Sequence, residues 1–234
     1  MNYFYYFILW VLPSFVWLLY FLRKDVHPES NKMILKVFLY GMLITLPAIL
    51  LEAVANKVVD EFLKESLFKK IVYYFLVVSL IEEFLKYLVV RKKVLFSSDL
   101  DEPIDVMLYL IISALGFAAF ENILYLIKYT TFNEIVFFTS IRFVSAIFLH
   151  ALCSGLFGYF LALSFYHLKE KTKLMTEGFV LAVFFHAAFN YGIIEIGDNL
   201  YWIFLPIIVL ISLATIVSIG FQRLKKLKSV CKIE

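Results

Sequence analysis

Seven stretches of about 20 apolar residues recur along this chain, at about 3–22, 33–55, 69–90, 104–127, 135–167, 175–196 and 201–222. Each is long enough to cross the hydrocarbon core of a bilayer. Backbone N–H and C=O groups find no water there, so they must bond within their own segment, and the expectation is an all-α, polytopic membrane helical bundle. With 63% hydrophobic residues and 26 phenylalanines, a soluble core could not absorb so much apolar surface. No loop between the spans is long enough to fold alone, so residues 1–234 read as a single integral membrane domain. The fifth span, at about 33 residues, is long for a bilayer and implies strong tilt or a protruding cytoplasmic end.

Orientation follows from the basic residues. One set of loops holds Arg23, Lys24, Lys32, Lys36, Arg91, Lys92, Lys93, Lys169, Lys171, Lys173, Arg223, Lys225, Lys226, Lys228 and Lys232. The other holds only Lys57, Lys64, Lys69, Lys70 and Lys128. The bias alternates at every loop, which predicts about seven spans with the N-terminus outside and the C-terminus in the cytoplasm. The first span lacks a basic leader and an A-x-A site, so it reads as a retained span rather than a cleavable signal. Segment 56–70 has the pattern of an amphipathic interfacial helix. The net charge of +3 gives no reason to expect a nucleic-acid partner. Cys153 lies in an apolar segment and reads as core; Cys231 lies in the basic tail, and their spacing matches no zinc or redox motif. His27, in RKDVHPES, reads as a solvated surface residue.

Against this background the polar residues inside the spans stand out: Glu82, Glu83, Lys86, Glu121, Arg142, His150 and His186. Each charge costs about 2.5–3.5 kcal/mol at the centre of a membrane helix, so these groups must meet one another in the bundle interior. Three glutamates face two cations, which leaves one carboxylate, two imidazoles and the nearby Asn190 for something other than ion pairing. Glu82 and Lys86 are spaced i,i+4 and share a helix face, while Glu83 points about 100° away. An adjacent carboxylate pair in a low dielectric suits a general base acting on water. The bland reading is a structural ion-pair hub. Glu121 is either a supporting group, a metal ligand or the partner of Arg142. His150 is either a ligand or an interhelical hydrogen bond. His186 and Asn190, again i,i+4, offer an activating or metal-binding imidazole and an amide donor for an oxyanion. Ala114 and Ala118, and Ser154, Gly155 and Gly158, form small-residue strips for close helix approach. HExxH, GxSxG and phosphate-loop motifs are absent. One geometric demand follows: measured from the cytoplasmic ends of the apolar windows, Glu82 and His150 differ in depth by about 15 Å in straight helices.

At these residues the chain resembles the PrsW family of intramembrane proteases, over about residues 20–192. The similarity runs through RKDVHPES, EEFLK at 82–86, DEPIDVMLYLIISALGFAAFENILY at 101–125, RFVSAIFLHALCSGLFGYFLA at 142–162 and HAAFN at 186–190. The FEN-x-x-Y block is fairly specific; EE-x-x-K alone would be weak, and the seventh span is not diagnostic. The same residue logic is similar to the wider clan of CAAX prenyl endopeptidases and bacteriocin-immunity membrane proteins. The resemblance implies peptide-bond hydrolysis of membrane-anchored protein substrates, such as an anti-sigma factor, in a prokaryotic plasma membrane. It implies Glu82, Glu83, His150, His186 and Asn190 as catalytic residues, with Lys86, Glu121 and Arg142 in support. Either glutamate could activate the water, with Glu82 slightly favoured. His150, His186 and one of Glu82 or Glu83 could hold a divalent metal such as zinc, and a metal-free glutamate mechanism is equally consistent. Two readings from other classes stand beside it. Intramembrane Glu and His chains also serve proton- or ion-coupled transporters, although these tend to show repeats and broken helices. A catalytically silent scaffold or immunity protein is the other.

Overall fold

The computed structural model describes residues 3–25, 27–97 and 99–227. Lys228, Cys231 and Lys232 of the basic tail lie outside the described residues. Among those described the chain is helical throughout, without strands: α1 Tyr3–Leu22, α2 Asn31–Phe62, α3 Leu67–Val72, a π-helical segment Tyr73–Ser79, α4 Leu80–Lys93, α5 Pro103–Leu126, α6 Phe132–Val144, α7 Ala146–Tyr166, α8 Lys171–Glu195 and α9 Phe204–Leu224. Five helical stretches among the described residues are long and apolar enough to cross a membrane: Asn31–Phe62, Pro103–Leu126, Phe132–Tyr166, Leu168–Glu195 and Leu200–Leu224. The remaining two apolar windows fall on α1 and on the continuous run from α3 to α4, whose charges interrupt its apolar character.

Helix α5 is the axis of the bundle. It is apolar almost all round, the pattern of a helix enclosed on every side, and every residue from Pro103 to Ala119 is buried. It packs against α1, α2, α4 and α7. Close approach depends on glycine: a Cβ at Gly41 of α2 would run into the backbone of Ser113, one at Gly116 into the backbone of Phe38, and one at Gly158 of α7 into Met107. Ala114, Ala118, Ser154 and Gly155 are buried along the same seams, as the small-residue strips lead one to expect.

Three local features differ from the simplest reading of the windows. The long fifth span is two helices, broken at Ser145 (φ −117°, ψ −92°) between α6 and α7. The segment 56–70 is not a separate interfacial helix. Its first part continues α2 to Phe62, and α3 restarts after Ser66, whose side chain caps the backbone N–H of Lys69. The third span opens with the π-helical turn at Tyr73–Ser79, a feature that often sits beside functional sites. At the basic end of the bundle, His27 is exposed but not merely solvated: its Nδ1 lies 2.6 Å from Glu102 Oε1, tying the α1–α2 loop to the start of α5.

Candidate functional site

Four helices bring the intramembrane polar residues together. Glu82 and Glu83 occupy the first turn of α4, Glu121 the penultimate turn of α5, His150 the second turn of α7, and His186 the middle of α8. The depth mismatch is met in part because α4 runs past its apolar window to Lys93, while α7 ends at Tyr166 within its own. Glu82 lies 11 residues before the end of α4 at Lys93, His150 lies 16 before the end of α7 at Tyr166, and His186 lies 15 after the start of α8 at Lys171. The five-residue difference between Glu82 and His150 amounts to about 7.5 Å, which modest tilt closes.

Lys86 is the hub. Its side chain is fully buried, and Nζ donates to Glu83 Oε1 at 2.8 Å, to Glu82 Oε2 at 3.1 Å and to His150 Nδ1 at 2.7 Å. Glu83 therefore shares the cation with Glu82, contrary to the simple i,i+4 picture, because the i,i+3 position also lies within reach of a long lysine. Phe117 covers the ammonium, with its ring centroid 4.5 Å from Nζ. Each of these charges is paired, as burial in an apolar bundle requires.

Each imidazole is held by a carboxylate. Nε2–H of His150 donates to Glu121 Oε2 at 3.0 Å, and Nδ1–H of His186 donates to Glu83 Oε1 at 2.9 Å. Since a carboxylate only accepts, these bonds fix both tautomers. The unprotonated nitrogens are then Nδ1 of His150, which accepts from Lys86, and Nε2 of His186, and they lie 3.6 and 3.8 Å from Glu82 Oε2. The two rings stand nearly perpendicular with centroids 5.0 Å apart.

The outer ring of contacts locks this arrangement. Arg142 Nη2 donates to Glu121 Oε2 at 3.0 Å, and its Nε donates to Asn122 Oδ1 at 2.7 Å. Asn122 Nδ2 in turn donates to the backbone carbonyl of Trp10. The Glu121–Arg142 pair and the Glu121–His150 bond thus coexist on one carboxylate oxygen. Ser154 Oγ donates to Glu83 Oε2 at 3.0 Å. Both oxygens of Glu83 are committed, whereas the hydrogen bonds of Glu82 run through Oε2. Asn190 lies one turn from His186 and is partly buried; among the described residues no hydrogen bond joins it to the cluster. Cys153 is buried and free, a core residue as expected.

The donor set fits a divalent metal. Glu82, His150 and His186 offer one ligand atom each within 4.8 Å of one another. Both imidazoles have the carboxylate partners that orient metal-bound histidines. The Lys86 ammonium stands on Nδ1 of His150, so a metal there would displace that one contact and leave the lysine its two glutamates.

One acidic residue escaped the sequence reading. Glu52 of α2 is partly buried, and its Oε1 is buried without a hydrogen-bond partner. It interacts electrostatically with Glu82, Glu121 and Lys86. Its only sequence signal is a single carboxylate inside an otherwise apolar window.

Comparison with known proteins identifies the family. The model of the PrsW family intramembrane metalloproteases matches residues 29–216, which span α2 to α9 and contain the whole cluster. The match reaches further toward the C-terminus than the motifs alone suggest. Protease PrsW of Geobacillus kaustophilus is 30% identical over 77% of this chain and 76% of its own length. Protease PrsW of Oceanobacillus iheyensis is 30% identical over 77% and 79%. Protease PrsW of Bacillus subtilis is 27% identical over 94% of both chains. No solved structure matches. With its Glu, His and His grouped inside an apolar helical bundle, the chain belongs to the PrsW family and is an intramembrane protease.

Proposed function

We propose that Glu82 is the general base of this protease and that it acts on a water held between the two imidazoles. What supports it is that Glu82 Oε2 faces the unprotonated nitrogens of His150 and His186, while both oxygens of Glu83 are bound elsewhere. Glu82 takes a proton from the water as it attacks the scissile carbonyl, and returns it to the leaving amine. Asn190, on the His186 face and without a protein partner among the described residues, donates its side-chain N–H to the developing oxyanion. Glu83 and Glu121 hold the imidazoles in the reactive tautomers. Lys86 and Arg142 balance the carboxylates and keep them in place. Glu82, His150 and His186 are the residues that would hold a divalent metal, zinc being chemically ordinary for such a set. Such an ion would acidify a bound water and polarise the carbonyl.

The substrate in this reading is a membrane-anchored protein, with regulated cleavage of an anti-sigma factor as the type of role. The chain forms one domain of seven spans in a prokaryotic plasma membrane, N-terminus outside and C-terminus in the cytoplasm. The test is cleavage of a panel of single-span membrane proteins by the purified protein, wild type beside a Glu82→Ala, Glu83→Ala double variant, with and without a chelator. Loss on mutation supports the assignment. Loss on chelation as well, restored by zinc, assigns the metal. Full cleavage by the double variant would end the proposal.

A further inference from the structure

Ala48 of α2, Leu85 of α4 and Phe117 of α5 form a small buried apolar cluster, with Ile44, Ile81 and Leu88 packed around it. Thr45 Oγ1 reaches the backbone carbonyl of Phe117 at 3.4 Å, which fixes α2 against α5 at this level. One helical turn further from the basic end, each of the three helices carries a carboxylate: Glu52 on α2, Glu82 on α4 and Glu121 on α5. The apolar cluster is therefore a floor, and the three glutamates stand above it on three sides of the same site. The electrostatic coupling of Glu52 to Glu82 and Glu121 agrees with this register.

The three differ in their partners. Glu82 has Lys86, and Glu121 has Arg142 and His150. The oxygen Oε1 of Glu52 is buried without any hydrogen-bond partner, although Lys86, already shared by two glutamates and His150, lies close enough for its charge to be felt. Tyr73 of the π-helical segment is also within electrostatic range. The three differ in exposure too. The Glu82 side chain is 7% exposed and that of Glu121 36%, and Glu52 is likewise only partly covered. Glu52 and Glu121 thus rim the open side of a site whose inner groups are closed off. Next to Glu52, Leu50, Leu51 and Val54 are exposed on the outer face of α2, so a chain arriving from the lipid can reach this rim. A carboxylate in an apolar setting is costly until a cation meets it.

We propose that Glu52 is a specificity-determining residue: its carboxylate binds a lysine or arginine side chain of the substrate segment brought to Glu82. This rests on the assignment of the Glu82 cluster as the catalytic centre. The partner is a cation because Glu121 is already paired and Glu52 is the rim carboxylate that has no ion pair among the described residues.

The experiment uses the full-length protein in proteoliposomes. Its probe is a set of single-span membrane proteins in which one lysine, or glutamine in its place, is walked through the span and both flanks. Wild type is expected to prefer lysine over glutamine at one register by at least tenfold in kcat/KM. Glu52→Gln is expected to abolish that preference while cleaving the glutamine series as wild type does, and Glu52→Lys to favour glutamate at the same register. Melting temperature and gel-filtration profile of Glu52→Gln verify that it folds. Retained lysine preference in Glu52→Gln would overturn the inference, as would an equal loss on every member, which marks a structural role or a main-chain contact. A parallel Glu82→Ala series separates the two claims. Cleavage that survives Glu82→Ala, or a wild type that cleaves no member, sinks the catalytic assignment itself. Cleavage that needs Glu82 but ignores Glu52 sinks only the inference.

Discussion

Among the described residues, two groups of three acidic or imidazole side chains have the spacing of a metal site, and they are chemically opposite. Glu82, His150 and His186 lie buried in the helical bundle; Asp25, Glu29 and Asp105 lie at its basic end, two of them only half-buried. In the buried group every charge is answered: Lys86 for Glu82 and Glu83, Arg142 for Glu121, a carboxylate for each imidazole. What remains is a pair of unprotonated imidazole nitrogens facing one carboxylate oxygen, one of them bonded to Lys86. In the other group the carboxylates are used for building. Asp105 closes a capping box at the start of α5 and accepts the backbone N–H groups of Asp101 and Glu102, and Glu29 accepts the Tyr109 hydroxyl at 2.6 Å. Proximity of ligands is common to both. Only the first has nitrogen donors, an outer ring of carboxylates and three buried members, and these separate a reactive centre from a helix cap.

The comparison breaks most sharply at the histidines. His186→Ala is expected to lower cleavage by more than about 1,000-fold, the scale of losing a principal catalytic group, while Asp25→Ala stays near wild type in the same cleavage assay. Next comes Lys86→Met. It strands two buried carboxylates, so we expect a loss of about 3–5 kcal/mol of stability, read as a drop in denaturation midpoint in detergent together with loss of cleavage. Ser154→Ala removes one of the bonds on Glu83 and should lower kcat about tenfold, or ~1.4 kcal/mol, with KM unchanged.

The smallest effect belongs to the basic end. Burial, with the nearby charges of Asp25 and Asp101, raises the Glu29 carboxyl above its ordinary value, although hydrogen bonds from Asp105 and Tyr109 oppose the shift. An acid raised in the folded state stabilises most below its unfolded pKa, and that contribution is lost as pH rises through the folded value. Hydrogen exchange in the 25–30 loop should therefore speed up from pH 4 to pH 7 beyond its intrinsic rate. Glu29→Gln should flatten that dependence with cleavage intact. An unchanged pH profile would show that Glu29 does not govern the loop.

Much of this contrast was legible in the sequence. The chain is helical across the apolar windows, although only five of the described stretches are long and apolar enough to cross a membrane, and Glu82, Glu83, Lys86, Glu121, Arg142, His150 and His186 meet because isolated charges in lipid have nowhere else to go. The failures have physical causes. The break at Ser145 has no Pro or Gly to announce it, and the π-helical turn at Tyr73–Ser79 carries no Pro or Gly in YYFLVVS either. The contact of Lys86 with both glutamates depends on a side-chain rotamer. Glu52 belongs to no motif, and only the register of α2 against α4 and α5 reveals what it faces.

The central claim is that the buried cluster is a reactive centre rather than an ion-pair hub, and Glu82→Gln tests it most directly because the amide keeps the shape and loses the base. Cleavage of a single-span substrate and thermal stability should be measured on the same purified sample. The account predicts cleavage reduced at least about 1,000-fold with a melting temperature within a few degrees of wild type. Retained cleavage with a lowered melting temperature would contradict it and make the cluster a structural hub.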